Sequence, residues 1–129
     1  MHGDAVGVLD EATGNLRSLL GVPPTHRIVF CQGGATQQFS MVAMNLLRGS
    51  GRTAEYVVTG SLGKKAAGEA GKFCNVKVVA DAADKNFTYI PDESTWRRSD
   101  EAAYLHITPN ETIAGVEFHF VPGGDAPIV

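Results

Sequence analysis

The sequence has few of the residues that mark secreted, disulfide-stabilised or membrane proteins. It contains two cysteines and one tryptophan in 129 residues, fewer cysteines than a small disulfide-stapled domain carries. No apolar run is long enough to cross a bilayer, and the first residues lack the pattern of a secretory signal peptide. We therefore expect a cytoplasmic protein without a membrane partner. Cys31 and Cys74 could form a disulfide, but two buried, reduced thiols fit this setting better.

Strong charge of either sign is also absent. Eleven lysines and arginines face 14 aspartates and glutamates, which gives a formal net charge of -3. Such a balance provides no electrostatic attraction to nucleic acid or to an anionic membrane, so we expect no nucleic-acid partner. The length suits one domain with a substantial core.

The common signatures of catalytic and nucleotide-binding sites are missing. No G-x-G-x-x-G follows the first predicted strand, Gly63-Lys64-Lys65 lacks the rest of a P-loop, and there is no G-x-S-x-G. The histidines do not have the i, i+4 spacing of a helical metal site; they are His2, His26, His106 and His119. We therefore predict no metal site.

The stretch from Arg27 to Phe39, RIVFCQGGATQQF, is the most informative part of the sequence. Residues 28–31 have the pattern of a buried strand, and a helical stripe begins after Gly33 and Gly34. A strand that turns through glycines into a helix directs unpaired N–H groups and the positive end of the helix dipole to one point. The turn is therefore a candidate anion site, to which Thr36 adds a hydroxyl. The alternative is a tight turn without a ligand.

The rest of the chain alternates between helical and strand patterns. Helices are predicted at 4–20, 35–48 and 62–73, and a helical turn after Pro91-Asp92; strands are predicted at 27–31, 55–58, 75–80, 87–90, 102–108, 116–120 and from 126 onward. This alternation predicts an α/β fold, a mostly parallel sheet with helices on both faces.

Ligands of such sheets bind beyond the carboxyl ends of the strands. Three polar turns are predicted there: Gly33–Thr36, Thr59–Leu62 and Asn110–Thr112. Asn110 and Thr112 could direct hydrogen bonds at a ligand, with Glu111 orienting them. The alternative is an ordinary turn whose side chains bond their own backbone.

Three segments in order resemble the phosphoserine aminotransferase family: FCQGGATQQF, EYVVTGSLGKKAAGEAGKFC and STWRRSDEAAYLHITPNETIAGVEF. The resemblance covers nearly all of residues 16–122. It implies the large domain of an aspartate-aminotransferase-like enzyme of fold type I that uses pyridoxal 5'-phosphate. Such an enzyme exchanges an amino group between glutamate and the phosphorylated keto acid 3-phosphohydroxypyruvate in serine biosynthesis, and works as a homodimer.

The resemblance also assigns cofactor-binding residues. Gly34, Ala35 and Thr36 would hold the cofactor phosphate through backbone N–H groups, and Thr112 would hydrogen-bond near the phenolic oxygen. The position at which the family carries a tryptophan on the cofactor ring is Leu62 here. Leucine can cover the ring but forgoes aromatic stacking, on the order of 1 kcal/mol.

By the same resemblance, the Schiff-base lysine, the aspartate at the pyridine nitrogen and the small domain would lie beyond residue 129. None of the lysines that follow the glycine turn matches the Schiff-base position: Lys64, Lys65, Lys72, Lys77 and Lys85. We therefore expect residues 1–129 to be a partial large domain that seats the cofactor, holds no catalytic residue and does not transaminate alone. Two alternatives stay open: a non-catalytic remnant that serves as a binding or dimerisation module, and a fold-type I aminotransferase for another amino acid.

Overall fold

The computed structural model describes residues 2–31, 33–47 and 49–129, and the chain divides into two compact units at residue 32. In the first unit, helix α1 spans His2–Leu19, close to the predicted bounds. Gly21 lies in the turn that follows the helix, and its φ of +61° falls in the left-handed region that glycine adopts readily. The Arg17 guanidinium donates to the carbonyls of Val22 and Pro23, at 3.1 and 2.9 Å, and so fixes the chain after the helix.

The strand predicted at residues 27–31 is wrong. This segment is irregular, and its apolar side chains are exposed, Val29 by 72% and Phe30 by 53%. A β-branched apolar run becomes a strand only where a neighbouring strand pairs with it, and no strand among the described residues does so. Cys31 is exposed and Cys74 is half-buried, so the predicted burial of both thiols is also wrong; both are free.

The second unit is built on a parallel sheet. Strands β1 (Thr53–Val58), β2 (Asn75–Asp81) and β3 (Leu105–His106) are arranged in the order β2-β1-β3, and both pairings are parallel. Residues 127–129 add a fourth parallel segment beside β3, with Leu105 N–H donating to Pro127 O at 2.8 Å. The strand predicted from residue 126 onward is thus present as a short pairing, and the predicted α/β class with a parallel sheet is confirmed.

Two helices cover one face of this sheet. Helix α2 spans Ala35–Leu47 and α3 spans Ser61–Ala70, both near their predicted bounds. Ser40 of α2 donates to a carboxylate oxygen of Glu69 on α3 at 2.9 Å. The core between the helices and the sheet consists of alanine, larger aliphatic and tyrosine side chains: Ala43, Leu47, Ala54, Tyr56, Val58, Ala66, Ala70 and Tyr104. No helix among the described residues is long and apolar enough to cross a membrane.

Irregular segments cover the other face in this unit, whereas the sequence predicts helices on both faces. Trp96 packs there with Val57, Val79, Leu105 and Phe118, and its indole N–H donates to Pro91 O at 3.0 Å. The edge strand predicted at 87–90 is wrong. The chain instead forms a 3₁₀ turn at Ala83–Lys85, and the two residues after it, Asn86 and Phe87, both have a positive φ, which is incompatible with an extended strand. A second 3₁₀ turn at Glu93–Thr95 matches the helical turn predicted after Asp92.

A small hairpin follows β3. Strand β4 (Asn110–Glu111) pairs antiparallel with β5 (Val116–Glu117), and Gly115, with a φ of +70°, lies in the turn between them. The strand predicted at 116–120 is therefore present but short. The hairpin contains the polar turn that the sequence marks as a ligand contact.

Candidate functional site

The carboxyl ends of β1 and β3 lie at the same edge of the sheet, because the two strands are parallel and neighbouring. The turn after β1 leads into α3, and the segment after β3 leads into the β4–β5 hairpin. Glu111 joins the two. Its carboxylate is fully buried and accepts hydrogen bonds from the N–H groups of Leu62, at 2.9 Å, and Gly63, at 2.6 Å. Two of the three predicted turns therefore meet.

Two glycines leave the space that this carboxylate occupies. A Cβ atom at Gly60 would lie 2.5 Å from Oε2 of Glu111, and one at Gly63 would lie 3.1 Å from Oε1. Gly60 has a φ of 179°, an extended conformation open to any residue, so the requirement for glycine there is steric. Larger residues at either position would push the Glu111 carboxylate away from the start of α3.

Two threonine hydroxyls are buried at the same edge. Thr59 is completely buried and Thr108 is 8% exposed, and neither Oγ1 has a hydrogen-bond partner among the described residues. The Thr108 hydroxyl lies 3.4 Å from the position that a Cβ at Gly63 would take, so it faces the Glu111 contact. Buried hydroxyls of this kind are normally satisfied by a water molecule or a ligand.

The start of α2 is exposed. Gly34 has a φ of +110°, and a Cβ added at Gly33 or Gly34 would meet nothing within 4 Å. Among the described residues, the N–H groups of Ala35 and Thr36 have no hydrogen-bond acceptor, and their side chains are exposed. This helix terminus therefore offers unpaired donors and a positive dipole end to an anion.

His106 connects the second turn of α2 to the sheet. Its ring stacks on Tyr56 at a centroid distance of 4.8 Å and forms a T-shaped pair with Phe39 of α2 at a centroid distance of 5.8 Å. Nδ1 has no hydrogen-bond partner among the described residues. Burial lowers the pKa of His106 to about 4, so the ring is neutral at pH 7.

The predicted cofactor-binding residues lie in these segments. Gly34, Ala35 and Thr36 occupy the start of α2, and Leu62 is the half-buried second residue of α3. Thr112 is exposed, and its hydroxyl donates to Oδ1 of Asn110 at 3.2 Å. The contact through Glu111 brings Leu62 to the 110–112 turn. No described contact joins Gly34, Ala35 or Thr36 to either of them.

The structure assigns Glu111 a different part from the one that the sequence predicts. The sequence suggests that it orients Asn110 and Thr112, whereas its carboxylate binds the start of α3, 48 and 49 residues away. A carboxylate is well suited to a helix N-terminus. No local pattern shows which helix a distant glutamate will reach.

A second buried carboxylate, which the sequence did not single out, belongs to Glu55 of β1. Glu55 is fully buried, with Lys77 Nζ at 3.2 Å and Arg98 Nε at 3.6 Å. Glu55 lines a cavity of about 640 Å³, which is also lined by residues 50–53 at and before the start of β1. Its two cationic partners offset its charge, and none of the predicted cofactor-binding residues lines this cavity.

Comparison with known proteins identifies the family. The sequence profile of the class-V aminotransferases matches residues 1–123. The chain belongs to this family. Over 120 residues it is 50% identical to a phosphoserine aminotransferase of Acidithiobacillus ferrooxidans, an alignment that covers 92% of this chain and 33% of that protein.

Solved structures agree with this assignment. The phosphoserine aminotransferase from Bacillus circulans subsp. alkalophilus superposes with a TM-score of 0.80 at 41% identity, over 95% of this chain and 34% of that one. The PLP-bound phosphoserine aminotransferase from Trichomonas vaginalis gives 0.77 at 38% identity, over 92% and 34%. The chain thus spans about a third of the length of these relatives.

Proposed function

We propose that this chain is part of the large domain of a phosphoserine aminotransferase and that it seats pyridoxal phosphate. The family match and the relatives named phosphoserine aminotransferase support this proposal. The enzyme of which the chain is part then exchanges an amino group between glutamate and 3-phosphohydroxypyruvate. The chain's share of this task is to bind and orient the cofactor.

One observation carries the proposal: α2 has a helix N-terminus that is open to an anion. Helices α2 and α3 both present N–H groups at their starts, but at α3 two of them are already bound to the Glu111 carboxylate. At α2 the N–H groups of Ala35 and Thr36 have no acceptor among the described residues, and open space surrounds Gly33 and Gly34. A phosphoester, which carries charged acceptor oxygens, fits the start of α2.

The remaining assignments follow from this seat. Gly34, Ala35 and Thr36 bind the phosphate through backbone N–H groups, with the Thr36 hydroxyl as a further donor. Leu62 covers the pyridine ring and keeps water from it, and the Thr112 hydroxyl donates to the phenolic oxygen in place of its bond to Asn110. Pyridoxal phosphate, when bound, supplies an electron sink for chemistry at the α-carbon of an amino acid.

A titration of the chain with pyridoxal phosphate, followed by absorbance, tests the seat. We expect weak, noncovalent, saturable binding that Thr36→Val and Thr112→Val both weaken. Thr88→Val is the control, because Thr88 is exposed and its hydroxyl donates to Lys85 O in its own turn. Failure to bind, or equal binding by all three variants, contradicts the proposal.

Borohydride reduction followed by mass analysis tests whether the binding is noncovalent. We expect no specific lysine adduct, and such an adduct would overturn noncovalent seating.

The substrate requires a separate test. A longer polypeptide that contains this chain should be assayed with glutamate as the amino donor and 3-phosphohydroxypyruvate, pyruvate or oxaloacetate as the acceptor. We expect a clear preference for the phosphorylated acid. A preference for pyruvate or oxaloacetate would instead assign the enzyme to another amino acid, and activity on none of the three would favour a non-catalytic remnant.

We also propose that the protein is cytoplasmic and associates as a homodimer. Large apolar side chains are exposed in the second unit, among them Ile113 and Val121, both by 80%, and exposed apolar surface of this kind is commonly covered by a partner. Light scattering should detect self-association. A monodisperse monomer would count against the dimer.

A further inference from the structure

Glu111 joins two segments that lie far apart in the sequence. Both of its carboxylate oxygens are used, Oε2 by the N–H of Leu62 and Oε1 by the N–H of Gly63. The side chain is fully buried, and no lysine or arginine among the described residues forms an ion pair with it. Backbone amides and the dipole of α3 therefore stabilise its charge.

The residues on either side of this contact are both assigned to the cofactor. One donor belongs to Leu62 itself, and Thr112 follows Glu111 directly in the chain. The carboxylate thus ties the residue that covers the ring to the residue that reaches the phenolic oxygen. The Glu111 side chain fits here because residue 60 is glycine, since any Cβ at this position would overlap it.

We propose that Glu111 is a positioning residue of the cofactor site. Its carboxylate fastens the 110–112 turn to the start of α3 and so fixes Leu62 and Thr112 relative to each other, while it keeps the rival helix terminus closed to the cofactor phosphate. This role rests on the proposed function of the chain. Glu111 acts through its neighbours and does not touch the cofactor.

Restoring the affinity of a Glu111 variant with a small carboxylate tests the positioning role, because added carboxylate would not restore affinity that was lost through a general loss of packing. Glu111→Ala leaves one buried and one half-buried N–H donor without an acceptor and opens a space shaped for a carboxylate. We expect it to weaken pyridoxal phosphate binding about tenfold, which corresponds to about 1.4 kcal/mol. Acetate or formate should restore part of the affinity and raise the melting temperature of the variant, whereas chloride at equal ionic strength should not. Glu117→Ala is the matched control, since Glu117 is an exposed carboxylate of the same hairpin.

A second pair of variants separates positioning from stability. Glu111→Gln keeps the shape of the side chain and can accept only one of the two N–H groups, and Val79→Ala weakens the core on the opposite face. The temperature is adjusted for each variant until urea denaturation gives both the same free energy of unfolding. Under these conditions only Glu111→Gln should lose affinity for pyridoxal phosphate. This comparison decides the matter if Glu111→Ala does not fold.

The outcomes distinguish the two proposals. No binding of pyridoxal phosphate by the wild-type chain overturns the proposed function and the positioning role together. Normal binding by the wild type and equal binding by the Glu111 variants overturns the positioning role alone. A loss of affinity in Val79→Ala equal to that in Glu111→Gln, or the same rescue by chloride as by acetate, also overturns it.

Discussion

Replacing Gly60 with alanine is predicted to disrupt the start of α3 through a steric clash. The added Cβ would overlap Cδ of Glu111 and would lie 2.5 Å from Oε2 and 2.7 Å from Cγ. Real Cβ atoms essentially never approach so closely. Because Gly60 has an extended φ of 179°, alanine introduces no backbone strain of its own, and the whole effect must come from this contact.

The size of the effect follows from what holds Glu111 in place. Its carboxylate cannot retreat without losing hydrogen bonds to Leu62 and Gly63, and a buried donor left unsatisfied costs about 1–3 kcal/mol. Overpacking a well-filled site costs about 1–3 kcal/mol. The side chain will take the cheaper of these routes or a mixture of both. We therefore expect Gly60→Ala to lower the free energy of unfolding by about 1–3 kcal/mol.

Urea denaturation followed by circular dichroism measures this change. Gly68→Ala is the matched control, because Gly68 lies inside the same helix and an added Cβ meets nothing within 4 Å; it should stabilise the chain by about 0.5–1 kcal/mol. In a Glu111→Ala background, Gly60→Ala should cost only a few tenths of a kcal/mol, since the clashing atoms are gone. An equal cost of Gly60→Ala in both backgrounds would refute the steric account.

Three further changes test other parts of the structure. Burial lowers the pKa of His106 to about 4, below its unfolded value of 6.5, so the unfolded chain binds the extra proton first as the pH falls. The free energy of unfolding should therefore fall by up to about 3 kcal/mol as the pH drops from 6.5 to below 4, and His106→Phe should remove this pH dependence in urea denaturation. In urea denaturation, Arg98→Leu should lower the free energy of unfolding by about 1–3 kcal/mol, because the fully buried Glu55 loses a charge partner. Lys72→Leu, which removes an exposed lysine from an ion pair with Glu69, should leave the denaturation midpoint unchanged. Gly34→Ala should weaken pyridoxal phosphate binding because Gly34 has a φ of +110°, while Gly33→Ala should not; equal effects of the two would contradict the seat at α2.

The parts of the fold with strong local patterns could be predicted from the sequence. The stripe of α2 and the alternating apolar residues of β2 specify their elements, and the structure places both near the predicted bounds. The run at residues 27–31 shows where this reasoning fails. Its apolar, β-branched residues fit a strand, but a strand also needs a neighbour to pair with, and no periodicity reveals one.

The candidate site divides in the same way. Backbone features such as the glycine turn before α2 are visible in the sequence because glycine has few other uses there. The contact between Glu111 and the start of α3 spans 48 and 49 residues and depends on how β1 and β3 align. The pairing of Glu55 with Lys77 and Arg98 likewise depends on which face of β1 is buried by Trp96.

The central claim is that one ligand occupies both the α2 terminus and the edge near Glu111. An NMR titration of the ¹⁵N-labelled chain with pyridoxal phosphate tests it most directly. The amide signals of Gly34, Ala35 and Thr36 should shift together with those of Leu62 and Thr112, with one common dissociation constant. Shifts confined to one of these groups, or centred on the cavity around Glu55, would contradict the account.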